Sequence, residues 1–281
     1  MKTNILLILF SCFGLLTNAQ NIDKLISQTE KLLSQHENIS YLSEGISTKD
    51  FDFTEEELKD EEGNTNFEDG IIDPYFAREI IQKRILTNIN KIAYHKDFPK
   101  KGRGLFISSP DNKVFNFVMD ENTGGTYRSR ISVMYYKVDG KILFQESGIE
   151  QNTQNIFNID GYAYIDSIQS DTCVKYIFQG SVIGCGTCLG EYIKLMHFSS
   201  GVPIIDFEYS LSTRIGSVKQ FDYNSKDKTI TIEYEEDDLN GEYNYENECG
   251  DYHFKKYKFN GATFEPIEKR WVKCNKSSEK E

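Results

Sequence analysis

The chain has 281 residues, with 32 Lys and Arg against 44 Asp and Glu, and a formal net charge of −12. That balance argues against nucleic acid and against anionic lipid as partners, because both select basic patches. Beyond the first twenty residues no run approaches the roughly 20 apolar residues of a membrane-spanning helix, and the rest is long enough for a large core and one or two domains.

Residues 1–19 read as a secretory signal peptide. Lys2 gives the positive start, Ile5 to Leu16 the apolar stretch, and Thr17-Asn18-Ala19 a small-residue cleavage site. The alternative is a lipoprotein anchored through Cys12, since Leu9-Phe10-Ser11-Cys12 resembles a lipobox. The apolar Phe13-Gly14-Leu15-Leu16 that follows argues against it, because lipoprotein tethers turn polar at once. The expected address is therefore secreted or periplasmic, with an envelope or protein partner.

Residues 20–99 read as a helical N-terminal region. From Asn21 to Ser43, Ile22, Leu25, Ile26, Leu32, Leu33, Ile39 and Leu42 recur at helical spacing. An acidic linker over 49–69 follows, poor in apolar residues and open to disorder. Asp73-Pro74 then signals a second helix, with Asp73 as cap and Pro74 in the first turn. Its apolar stripe is Phe76, Ile80, Ile81, Ile85, Leu86, Ile89 and Ile92, and it ends near Tyr94.

Residues 100–274 read as an antiparallel β domain, followed by a polar tail over 275–281. The period changes to two, and strands are expected around 114–119 and over 127–137, 142–146, 156–168, 174–182, 201–211, 229–235, 252–259 and 264–272. Pro110-Asp111-Asn112, Asp139-Gly140, Asp160-Gly161, Asn224 to Asp227 and Asn260-Gly261 mark turns between them. The fold class is mainly β, an antiparallel meander in a sandwich, a barrel or part of a propeller, with the helical region in front.

Ser108-Ser109-Pro110-Asp111-Asn112-Lys113-Val114, then Thr123-Gly124-Gly125-Thr126, then Tyr135 to Lys141 resemble a motif order in a loose group of uncharacterised secreted bacterial β-proteins. The closing hairpin Tyr257 to Phe264 is similar to theirs too. Asn112 stands where that group favours Gly. The resemblance implies a secreted β-fold and no particular activity.

Five cysteines follow the signal: Cys173, Cys185, Cys188, Cys249 and Cys274. In an oxidising compartment disulfides are the default, and an odd number leaves one thiol over. A turn centred between Gly261 and Ala262 sets Cys249 opposite Cys274. A two-residue turn at Gly186-Thr187 sets Cys185 opposite Cys188. Cys173, far back along the preceding strand, is the free thiol candidate.

The pair Cys185–Cys188 also admits thiol–disulfide chemistry if Cys185 opens a helix, and Leu189, Tyr192, Ile193 and Met196 have helical spacing. Gly184, where an aromatic usually precedes such a motif, argues against it. A zinc site at Cys249 and His253 would need a second ligand pair. His36, His95, His197 and His253 show no ligand spacing, and exposure is the simplest reading for His36 and His95. Thr123 to Thr126 reads as a turn rather than an anion cradle. The acidic loop 233–251 has the oxygen ligands for calcium but no calcium-loop register. No catalytic, cofactor or metal site emerges. The leading reading is a non-enzymatic binding or envelope-associated module of unknown ligand. The alternatives are a thiol–disulfide protein and a hydrolase whose carboxylates converge only in the fold.

Overall fold

The computed structural model describes residues 21–40, 42–59, 63, 65, 67–99, 103–122, 130–147, 161–184, 186–235 and 252–272. It is mainly β, 50% strand and 20% helix, with four antiparallel sheets and no closed barrel among the described residues. The chain forms two compact units that divide between Lys100 and Lys101. Among the described residues no helix is long and apolar enough to cross a membrane.

In the first unit, helix α1 spans Ile22–Asn38, and the Asn21 side chain accepts from the Asp23 N–H. It stops short of the expected Ser43. Ile39 is extended, and the Ser40 hydroxyl accepts from the Leu42 N–H at 3.2 Å, a local bond that competes with the helix. A small sheet in the order β1-β3-β2 follows, from β1 (Ile46–Ser47), β2 (Phe67–Glu68) and β3 (Ile71–Ile72). Helix α2 spans Pro74–Tyr94, and the Asp73 carboxylate accepts from the Tyr75 and Phe76 N–H groups. Ile81, Ile85, Ile89 and Ile92 form its buried stripe, and α1 packs against it.

The acidic stretch 49–69 is tied to α2 where it is described. Arg84 Nε and Nη2 each lie 2.6 Å from an oxygen of Glu57, and the guanidinium also donates to the Phe51 and Asp52 carbonyls. That bidentate bond holds the Glu57 carboxyl down at about 2. Two histidines differ from expectation. His36 is buried, with Nε2 3.1 Å from Gln82 Nε2, because the α1–α2 contact covers it. His95 is largely buried just past α2, and its Nδ1 accepts from the Asp97 N–H at 3.1 Å.

The second unit holds three four-stranded meanders in chain order. The first sheet comprises β4 (Ile107–Ser108), β5 (Val114–Asp120), β6 (Arg130–Val138) and β7 (Lys141–Ser147). The second comprises β8 (Tyr164–Gln169), β9 (Val174–Ile183), β10 (Cys188–Ser199) and β11 (Val202–Arg214). The third comprises β12 (Val218–Asn224), β13 (Thr229–Glu235), β14 (Tyr252–Phe259) and β15 (Phe264–Val272). Turn chemistry sets these hairpins. Asp139 and Gly140, at φ 49° and 77°, form the two-residue turn that Asp-Gly favours. Asn112 sits at φ 55°, a left-handed position that Gly favours and Asn tolerates.

The second sheet is packed on both faces. Tyr176, Phe178, Tyr192 and Met196 meet Val114 and Met134 of the first sheet. Ile168, Ile177, Ile193 and Leu195 meet Phe221, Ile230, Ile232 and Phe264 of the third. Successive strand residues point to opposite faces, so one set of strands builds two cores. The third sheet ends the stack with a polar outer face, where Lys219 pairs with Glu235 at 3.0 Å and Arg270 with Glu268 at 2.6 Å.

Candidate functional site

The interface between the second and third sheets has an apolar middle and two polar ends. At one end lies a cavity of about 390 Å³. The register shows how it arises. On the face toward the third sheet, Ile177 and Ile193 belong to the core, and the next residues outward are Gln179, Ser181 and Glu191. Glu191 stands opposite Ser181, and Tyr164 opposite Gln179, so four side chains converge from β8, β9 and β10. Asp222 and Tyr223 of β12 line the other side. Gly180 leaves part of the wall as bare backbone. A Cβ there would overlap the Tyr192 hydroxyl and the Gly161 carbonyl.

Gln179 Nε2 donates to the Phe221 carbonyl and ties the two sheets together at the cavity. The Tyr164 hydroxyl donates to Asp166 Oδ2 at 2.8 Å. At the rim, Asp222 Oδ1 accepts from Gln220 Nε2 at 2.8 Å. Burial pushes the Glu191 carboxyl up to about 7, against the pull of Arg130, whose Nη1 donates to the Ser181 carbonyl at 2.9 Å. Burial, then the charge of Asp166, pushes Tyr223 up to about 12. The cavity therefore offers a carboxyl group that exchanges its proton near neutrality, amide and hydroxyl groups, and two tyrosine rings.

At the opposite end the polar groups are paired. Lys175 Nζ lies 2.8 Å from Asp206 Oδ1 and donates to the Ala262 carbonyl at 2.6 Å. His197 Nδ1 lies 2.8 Å from Asp206 Oδ2, and the Thr263 hydroxyl donates to the Asp206 carbonyl at 2.8 Å. Asp206 is the extra residue of a β-bulge, since Leu195 pairs with Phe207 while Met196 pairs with Ile205. The bulge turns a carboxylate toward a buried lysine. A larger groove, about 570 Å³, runs between α1 and α2 in the first unit, where the Arg84–Glu57 pair is already satisfied.

Of the singled-out cysteines, Cys173 is a free, half-buried thiol 3.7 Å from the Ser170 hydroxyl. Cys188 opens strand β10, so the helix start needed to activate a thioredoxin-like pair is replaced by a strand. The Gly184 N–H donates to the Cys188 carbonyl at 3.1 Å, and Leu189 pairs with Ile183. The hairpin therefore closes at Gly184 and Cys188, not around a two-residue Gly186-Thr187 turn. In the last hairpin Phe259 faces Phe264, as the expected turn centre requires. A bulge after Lys256 then shifts the ladder, and His253 faces Trp271. Cys12, Cys185, Cys249 and Cys274 lie outside the described residues, as do residues 1–19, Thr123 to Thr126, most of the acidic loop 233–251 and the tail 275–281.

The two remaining histidines are both engaged. His197 is bound to Asp206, and His253 stacks between Tyr234 and Trp271, with ring centroids 5.0 and 6.2 Å away. Among the described residues no group of three or more His, Cys, Asp or Glu could hold a metal ion. Glu191, Gln179, Ser181 and Tyr164 were not singled out by sequence reasoning. The available signal was Glu191, a charged residue within the apolar run Leu189 to Phe198.

No protein-family model matches the chain, and a search of curated proteins finds no match.

Proposed function

We propose that the protein is an exported binding module, secreted or periplasmic, that takes a small polar ligand in the cavity between its second and third sheets. The observation that supports this most directly is the convergence of Glu191, Gln179, Ser181 and Tyr164 where the apolar core stops. A concave site with a few convergent polar groups is the usual form of a small-molecule site. In this reading Cys185–Cys188 and Cys249–Cys274 are staples of an exported chain, and mapping of the non-reduced protein tests both pairs and the Ala19 cleavage site.

The experiment that tests the binding reading is ligand-detected NMR of the full exported chain against a mixed panel of small polar molecules. The comparison protein is Ala163→Trp, a bulky replacement designed to obstruct the cavity from an exposed residue that lines it. Binding to the wild type and loss in Ala163→Trp, with both proteins melting alike, is the expected result. Binding that persists in the filled variant would remove the site. A second reading, hydrolysis, draws on the proton that Glu191 carries near neutrality in a cavity. Turnover of any panel member, abolished by Glu191→Gln, would favour it.

A further inference from the structure

We infer that this cavity takes an organic cation, a small primary or quaternary amine. The inference rests on the binding reading above and names its ligand class. Among the described residues, no Lys, Arg or His lines the cavity. The carboxylates toward its interior are Glu191 and, just behind Tyr164, Asp166, while Asp222 lines the rim from a strand whose core-facing residues are Phe221 and Tyr223. The guanidinium that acts on Glu191 is Arg130, and it is already held by the Ser181 carbonyl. The carboxylates therefore exceed the local cation.

The aromatic groups suit the same ligand. Tyr164 is 40% exposed, and its bond to Asp166 fixes the ring beside the cavity. Tyr223 is anchored by Phe264, with ring centroids 6.0 Å apart. An ammonium within about 6 Å of a tyrosine centroid is attracted to the ring face, and more strongly where water is displaced. Gln179 and Ser181 add polar groups that can accept from an N–H. A neutral polyol could use the hydrogen bonds but would gain nothing from the charge, and an anion would be opposed by it.

A cation selects the ionised form of Glu191. Its carboxyl group is half protonated near pH 7 in the free protein, through burial. Affinity for an amine should therefore rise with pH through about 7 and fall about tenfold per unit below it, as one-proton linkage requires. Arg130 and, behind Tyr164, Asp166 lie at the same end and set its background charge.

The test is calorimetric titration of the full chain with choline, putrescine, glucose and acetate at several pH values on both sides of 7, repeated with Glu191→Gln and Ala163→Trp. Melting curves confirm that each variant is folded. The expected result is amine binding that strengthens with pH, weakens at least tenfold and loses its pH slope in Glu191→Gln, and disappears in Ala163→Trp. Glucose binding without amine binding, lost in Ala163→Trp, would overturn the cation while leaving the cavity as a binding site. Amine binding unchanged in both variants would place it on the acidic surface and overturn the inference. No binding by any of the four probes would count against the cation and the binding reading together.

Discussion

The two ends of the interface between the second and third sheets are made by the same strands and finish differently. At the end near Lys175 the buried charge is paired with Asp206, Asp206 is shared with His197, and the β14–β15 turn adds the Ala262 carbonyl and the Thr263 hydroxyl. At the other end the Glu191 carboxyl is half-buried and proton-sensitive, and a cavity stands where a partner group would pack. Buried charges are ordinarily paired, because an unpaired one costs several kcal/mol. The paired end is therefore explained by stability alone. The open end keeps a half-buried carboxyl group beside a cavity without such a partner, the arrangement that the proposed binding site uses.

Breaking the closed end should have the largest effect. Asp206→Ala strips the counter-charge from Lys175, whose side chain is 7% exposed. The expected loss is about 3–5 kcal/mol, the usual cost of orphaning a buried partner. Asp206→Asn should lose less, since it keeps an acceptor. Lys175→Met added to Asp206→Ala should recover a good part of the loss. Chemical denaturation of the set checks this, and a loss under 1 kcal/mol for Asp206→Ala would show the cluster to be ornamental.

The open end should respond to a change in its wall. Gly180→Ala places a methyl group against the Tyr192 hydroxyl and the Gly161 carbonyl, and one of these is backbone that cannot swing away. Overpacking of this kind costs about 1–3 kcal/mol. The methyl points toward Tyr192, away from the cavity that Gln179 and Ser181 face, so ligand affinity should fall only as far as the strand shifts. An unchanged melting temperature in Gly180→Ala would mean that the wall is soft.

The strand pattern was readable in the sequence wherever one face of a strand is wet. Asp139-Gly140 and Asn260-Gly261 mark hairpins, and β13, β14 and β15 fall within the stretches that alternation picks out. Strand β10 was not readable, because it is buried on both faces. Tyr192, Ile193, Leu195 and Met196 are buried on both faces, and Glu191, Lys194 and His197 around them recur every third residue, a pattern as consistent with a helix. Strand β12 was missed where its pairing slips between Val218 and Gln220. The site was hidden for a different reason. Tyr164, Gln179, Glu191 and Tyr223 come from four strands, and only the ladder register brings them to one end.

The proton on Glu191 gives a subtler way to separate the two ends. Its folded value, about 7, lies above the ordinary 4.5. A group raised in this direction contributes stability that is fully present below pH 4.5 and is lost as pH rises toward 7. Glu146, raised to about 7 by burial at the other interface, acts in the same sense. Wild-type stability should therefore decline between pH 4.5 and 7, by roughly 1 kcal/mol per group once solvent screening is allowed for. Glu191→Gln should flatten part of that slope and be at least as stable as wild type at pH 8. A slope unchanged by Glu191→Gln would place the titration elsewhere.

The smallest expected effect is at Tyr164. Its hydroxyl bonds Asp166 at 2.8 Å in an exposed setting, where both groups have water as an alternative partner. Tyr164→Phe should therefore change stability by no more than about 0.5 kcal/mol, at the low end for a hydrogen bond. If the ring serves the ligand through its face, Tyr164→Phe should also keep most of the affinity, whereas Tyr164→Ala should lose it while still folding. Equal losses in the two variants would assign the work to the hydroxyl and the Asp166 beside it. The comparison thus divides the open end into its face and its hydrogen bonds, a division that the fully paired end near Lys175 does not admit.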